Sequence, residues 1–201
     1  RIFVTGNPIK EVLDHYTPQV KASSILNDLG LESGEFFLAT MHRAENVDDD
    51  GRLRTLMSAL AGLHQFHGKR VICSVHPRTR SKLEGLSDAP DMTGVELLEP
   101  FGFFDFVHLE QEAFCVISDS GTVQEEACIF GTPNVTIRDV TERPETIEAG
   151  SNILAGIESD SVLQAVNMVT SQDVTWTPPA EYMADGVAQI VSRIVLGHQN
   201  L

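Results

Sequence analysis

Short apolar runs of strand length recur between longer segments of helical spacing, and that alternation fixes the class of fold. The runs are Phe36 to Thr40, Arg70 to Val75, Val95 to Leu98, Phe114 to Ser118 and Asn134 to Ile137, with a further short one near Asn152. Strands that alternate with helices call for an α/β fold, a parallel sheet with helices on both faces, because each crossover lays its helix on the sheet. Between the first two runs, Leu53, Leu56, Met57, Leu60 and Leu63 line one side of a helix, and this stripe reads as core. Pro18 to Leu29 reads as a helix ended by Gly30 in a left-handed cap. After the sheet, Trp176 to Pro179 forms a stiff connector to a helix from about Glu181 to Leu196, with Val187, Ile190, Val191, Ile194 and Val195 apolar.

With 201 residues, 42% of them apolar, the chain is long enough for one well-buried domain. A formal charge of −15 argues against nucleic acid or an anionic membrane as a partner, since both require a basic face. An anionic nucleotide needs only a few local donors and remains allowed. Neither a signal peptide nor a run of about 18 apolar residues is recognisable, so the expectation is a soluble, cytoplasmic protein. Cys73, Cys115 and Cys128 are odd in number and lack metal-ligand spacing, which reads as reduced core residues with no metal.

Three segments carry polar chemistry at strand ends, where open α/β sheets gather their ligand groups. The first runs from Ser118 to Glu126, a small-residue turn between an apolar strand and a helix. Gly121 has no Cβ to block close approach, and the amides of Gly121, Thr122 and Val123 can donate to an anion that the helix dipole favours. Glu126 lies four residues past Thr122, on the same helix face, where a carboxylate can accept from both hydroxyls of a ribose. In the plainer reading, Asp119 or Ser120 caps the helix and the Glu pair faces water. The second segment, Phe36 to Asn46, runs from a strand into a loop holding His42, Arg43, Glu45 and Asn46. The third, Val135 to Ile147, is a strand followed by a charged loop in which Pro144 suits the first turn of a helix and Arg143 is placed to meet an anion.

These segments resemble the non-hydrolysing UDP-N-acetylglucosamine 2-epimerase family. Its His-Arg-x-Glu-Asn stretch matches His42 to Asn46, its Asp-Ser-Gly-x-x-Gln-Glu-Glu stretch matches Asp119 to Glu126, and its Arg-Asp-x-Thr-Glu-Arg-Pro-Glu stretch matches Arg138 to Glu145. Val4 to Asn7 and His76 with Pro77 match as well. The resemblance implies one Rossmann-like lobe of a two-lobed enzyme built like the B-type glycosyltransferases, the C-terminal lobe that holds the nucleotide. On that reading residues 1–17 are an interlobe hinge and entry segment, 18–175 the UDP-binding lobe, and 176–201 a connector and crossover helix whose apolar face is partly orphaned without the first lobe.

The reaction that the resemblance implies is inversion at C2 of UDP-N-acetylglucosamine, by elimination of UDP to 2-acetamidoglucal and re-addition, with no cofactor. His42 is then the catalytic residue, an imidazolium offsetting charge on the departing diphosphate. Ser120, Gly121 and Thr122 bind the diphosphate, Glu126 the ribose, Arg143 the diphosphate or sugar, and Phe106 walls the uracil. Phe103 and Phe104 read as core. Arg43 is a binding group; Glu45 and Asn46 are either binding groups or an ion pair and a cap. Glu125 is the less certain acid of its pair, and His76 matches a position that in some members touches a regulatory nucleotide sugar. Phe101 stands where many members carry a non-aromatic residue, which fits a branch acting on another UDP-2-acetamido sugar. The implied partners are UDP, a UDP-N-acetyl amino sugar, the N-terminal lobe and, at full length, a second copy in a homodimer. A B-type glycosyltransferase and a non-catalytic UDP-binding module are the alternatives.

Overall fold

The computed structural model describes residues 2–88, 90–171 and 175–197. Arg1, Ala89 and residues 172–174 and 198–201, which the expected segments include, lie outside the described residues. The chain runs α1 (Ile9–Lys21), α2 (Ile25–Leu29), β1 (Phe36–Thr40), α3 (Ala44–Val47), α4 (Asp50–His67), β2 (Arg70–Ser74), α5 (Pro77–Glu84) and β3 (Val95–Leu98). It continues with α6 (Phe103–Glu112), β4 (Cys115–Ser118), α7 (Gly121–Phe130), β5 (Asn134–Thr136), α8 (Pro144–Ala149), β6 (Asn152–Leu154), α9 (Ser159–Val169) and α10 (Val187–Gly197). All six expected strands form one sheet in the order β3-β2-β1-β4-β5-β6, every neighbouring pair parallel.

Period-two alternation divides the strand side chains between two cores. Phe37, Ala39, Val71, Cys73, Cys115, Ile117 and Val135 point to the side covered by α4 and α9, where the expected stripe Leu53, Leu56, Met57, Leu60 and Leu63 is fully buried. Phe36, Leu38, Ile72 and Val116 point to the other side, against Leu109 of α6 and Val123 of α7. Burying each large side chain this way contributes roughly 1.5–3 kcal/mol, so neither face of the sheet can be left open. Helix α1 makes an outer layer, with Leu13 and Val20 packed on Val107 of α6. All three cysteines are buried and unpaired, and burial pushes the Cys73 thiol up to about 12.

Two helix expectations need correction. Pro18 to Leu29 is not one helix: α1 starts at Ile9, whose amide donates to the Asn7 side chain, and contains Pro18. The break falls after Lys21, where the Ser23 hydroxyl takes the Ile25 amide and donates to Asp105, an alternative to the helical ladder. Gly30 does cap α2 in the left-handed conformation. The border drawn at residues 17 and 18 therefore falls inside α1. The last helix starts at Val187 rather than Glu181, because Gly186 has φ +70 and the stretch before it turns, Tyr182 N donating to Pro179 O. Val187 is buried, whereas Ile190, Val191, Val195 and Leu196 are exposed.

Candidate functional site

The sheet register sets the site. Thr40 of β1 pairs with Ser118 of β4, and Ser118 with Thr136 of β5, so three polar loops leave one edge side by side. The strand order reverses between β1 and β4, which leaves a crevice above their carboxyl ends.

Asp119, directly after β4, occupies that crevice with no solvent exposure. Its carboxylate accepts from the backbone amides of His42 and Arg43 at 3.1 and 3.0 Å and from Asn46 Nδ2 at 3.1 Å. It also lies 3.2 Å from His42 Nδ1, while about half of the His42 side chain is open to solvent. The imidazole is thus held by one nitrogen, with the rest of the ring presented outward. Arg43 reaches back through Nε to the Asp119 carbonyl, at 3.3 Å. Buried Asn46 is a strut, its Nδ2 also donating to Ile137 O at 3.0 Å and its Oδ1 accepting from Arg52.

Because Asp119 is committed to the His42 loop, it does not cap α7, and Ser120 forms no side-chain cap either. The plainer reading of this segment as a capped helix therefore fails. The first amides of α7 remain available to an external acceptor, with Thr122 exposed beside them. Arg143 covers this end: a Cβ added to Gly121 would lie 3.7 Å from its guanidinium carbon. Arg143 Nε makes a short hydrogen bond to Glu125, so Glu125 orients the arginine. Pro144 opens α8 at its first turn as expected, and Thr141 ties the same loop to α7 through Gln124 at 2.7 Å. Arg138, almost fully buried, bridges Glu45 at 3.1 Å and Glu142 at 2.7 Å. Its guanidinium holds the Glu142 carboxyl down to about 2.

Glu126 is nearly buried. Burial first, then the Glu125 charge, raises it to about 7, while the carboxyl of Glu110 acts in the opposite sense. Glu110, on α6, is wholly buried and well above the ordinary range for the same first reason, with Glu126 as its titrating neighbour. Phe106 is half-buried and packs at the margin of the core built on Phe36 and Leu38. Phe103 and Phe104 are not core: they lie exposed on the first turn of α6, with ring centroids 5.9 and 5.4 Å from Tyr16 of α1. The core on that side is already closed by Leu109 and Val123. His76 is exposed after β2, where its Nδ1 accepts from the Arg78 amide as the α5 cap. A hollow of about 470 Å³ between residues 3–8 and Tyr182 shares Glu125 and Arg143 with the site.

The structure thus gathers His42, Arg43, Ser120, Gly121, Thr122 and Arg143 at one edge, with Glu45, Asn46 and Glu125 bracing them and Glu126 behind the helix start. Sequence reasoning missed Asp119 as the organiser, gave Arg138 no role beyond its place in a matching stretch, and did not single out Glu110. Asp119 had one usable signal, a carboxylate two residues past the apolar run Phe114 to Ile117. Glu110 had none, because helical spacing does not reveal that its face meets α7.

Fold and site define an open, doubly wound α/β domain whose polar groups converge at the switch point of its sheet. The sequence profile of the family described as UDP-N-acetylglucosamine 2-epimerase matches residues 1–195, and the chain belongs to that family. The UDP-N-acetylglucosamine 2-epimerase of Methanocaldococcus jannaschii is 35% identical over 186 residues, covering 89% of this chain and 50% of that one. The UDP-2,3-diacetamido-2,3-dideoxy-D-glucuronate 2-epimerase of Pseudomonas aeruginosa is 39% identical over 145 residues, 72% of this chain and 40% of that one. The M. jannaschii UDP-GlcNAc 2-epimerase structure in complex with UDP-GlcNAc and UDP superposes with a TM-score of 0.84 at 31% identity, covering 98% of this chain and 55% of that chain. The chain spans about half the length of the curated relatives it matches. Among the described residues, no helix is long and apolar enough to cross a membrane.

Proposed function

We propose that this chain is the C-terminal, UDP-holding lobe of a 2-epimerase that interconverts UDP-N-acetylglucosamine and its C2 epimer. The observation that carries the reading is the uncapped start of α7, with Arg143 over Gly121 on one side and His42 held by Asp119 on the other. A diphosphate fits that arrangement: amides of Gly121 and Thr122 and the Ser120 hydroxyl donate to it, Arg143 and Arg43 balance its charge, and Glu126 accepts from the ribose. Phe106 walls the uracil.

In the reaction, a base takes the proton from C2, the C1–O bond breaks, and UDP leaves as 2-acetamidoglucal forms. UDP then adds back at C1 while C2 receives a proton on the opposite face. His42 stabilises the charge gathering on the diphosphate as the C1–O bond opens. The base belongs to the facing lobe, within the half of the relatives' length that this chain does not span. Alone, the chain binds UDP without turnover.

A second substrate has specific support, because the P. aeruginosa relative acts, by its name, on a diacetamido glucuronate. Calorimetric titration of this chain with UDP, and a proton-NMR assay of the full-length protein with each UDP-sugar in D2O, test the reading. Deuterium should enter C2 of the product. Epimerisation without deuterium, or robust turnover by this chain alone, would overturn it.

A further inference from the structure

Arg143 is held over Gly121 at both of its ends. Glu125 grips the guanidinium. The residue before it on α7, Gln124, is wholly buried, points about 100° away, and reaches the backbone of the same arginine through Thr141. Gln124 Oε1 accepts from the Thr141 hydroxyl at 2.7 Å, and the Thr141 oxygen in turn accepts from the Arg143 amide at 3.1 Å. On the other side of the residue, the Arg143 carbonyl accepts from the Thr146 hydroxyl at 2.8 Å. Asn152 of β6 closes the ring. Its Nδ2 donates to Thr146 Oγ1 at 3.1 Å and to Gln124 Oε1 at 3.3 Å, and its Oδ1 accepts from the Thr136 hydroxyl at 2.8 Å.

Donors and acceptors balance around this ring. The Thr141 and Thr146 hydroxyls each donate once and accept once, Gln124 Oε1 takes one donor on each lone pair, and Asn152 uses both of its N–H bonds. Gln124 also supplies its acceptor without a charge, beside the buried acids Glu125 and Glu126. A buried network matched in this way favours a single arrangement of the loop. We propose that Thr141 and Gln124 are positioning residues for Arg143, fixing where its backbone leaves the loop so that its guanidinium meets a diphosphate at the start of α7. A carboxylate at the tip alone would leave the base of a long side chain free. With both ends fixed, little freedom is lost when the anion arrives. This rests on the reading of Arg143 as a diphosphate ligand.

The test is calorimetric UDP titration of the full-length protein in a double-mutant cycle between Thr141 and Arg143. Thr141 is partly exposed, so Thr141→Val keeps the branched shape at a site that tolerates it while removing the hydroxyl. The Arg143 amide then lacks its acceptor, and UDP binding should weaken about three- to tenfold, the usual effect of one hydrogen bond. Thr141→Ser restores the hydroxyl and should bind UDP as the unaltered protein does. Arg143→Ala should weaken binding by more, since a charge-assisted contact is lost. Adding Thr141→Val to Arg143→Ala should change nothing further, because the hydroxyl acts through the arginine. Gln124→Met removes the acceptor and repeats the cycle from the helix side. Additive losses in either cycle would make that residue merely structural and overturn its part of the proposal. Undiminished UDP binding in Thr141→Val, while Arg143→Ala weakens it, would sink the proposal alone. If Arg143→Ala itself bound UDP undiminished, the diphosphate reading of Arg143 would fail and this proposal with it.

Discussion

Asp119 holds His42 by two points, accepting its backbone amide at 3.1 Å and lying 3.2 Å from its ring Nδ1. A carboxylate is needed because three donors, the amides of His42 and Arg43 and the Asn46 side chain, converge on one buried group. Asp119→Asn would turn an N–H2 towards some of those donors, leaving at least one buried group unpaired at a cost of about 1–3 kcal/mol. Urea denaturation should register that loss. Turnover of the full-length protein should fall by about 10² or more as the imidazole loses its orientation. Unchanged turnover would show that Asp119 does not orient His42.

His42→Ala tests the ring itself. Removing one electrostatic donor to a developing oxyanion costs about 10²–10³ in rate. UDP affinity should fall far less, because the α7 amides and Glu126 are untouched. Equal losses in turnover and UDP affinity, measured on the same variant, would make His42 a plain binding residue.

Gly121→Ala separates space from stability. The backbone there does not have positive φ, and the added Cβ would lie 3.7 Å from the Arg143 guanidinium, an ordinary contact. Stability should therefore change by no more than about 1 kcal/mol. The methyl group would nevertheless occupy the gap between the helix start and Arg143, so UDP affinity should drop about tenfold or more. A full-strength UDP titration of this variant would place the diphosphate elsewhere.

Glu110 and Glu126 also make stability depend on pH. Both are raised in the folded state above the ordinary 4.5, Glu126 to about 7. Between these values the native state holds more protons than the unfolded chain, so stability is fully present below about 4.5 and declines as pH rises through neutrality. Each extra proton contributes a slope of about 1.4 kcal/mol per pH unit. Glu110→Gln should flatten the decline and leave the variant more stable than the parent in alkali, as read by denaturant midpoints in mild acid and mild base. An unaltered slope would contradict this assignment.

The alternation of strand and helix was legible because solvent exclusion on both faces of a parallel sheet demands unbroken apolar runs of strand length, and Phe36 to Thr40 or Val71 to Cys73 can do little else. The site's membership was legible in part for a related reason: residues just after a strand must emerge at one sheet edge, which placed His42, Ser120 and Gly121 together. Helix limits were less legible, since the breaks at Ser23 and Gly186 depend on side-chain bonding and packing that spacing does not encode.

The sequence by itself determined the class of fold, the family and the three loops that carry polar groups. What only the tertiary structure decided is how those groups are used. Asp119 could cap α7 or hold the His42 loop, and the register of β1 against β4 chooses the second by bringing two backbone amides within reach. Glu126 could face water, but in the folded chain it and Glu125 are both buried. Both outcomes depend on distances between residues far apart in the chain, and local propensity carries no information about those.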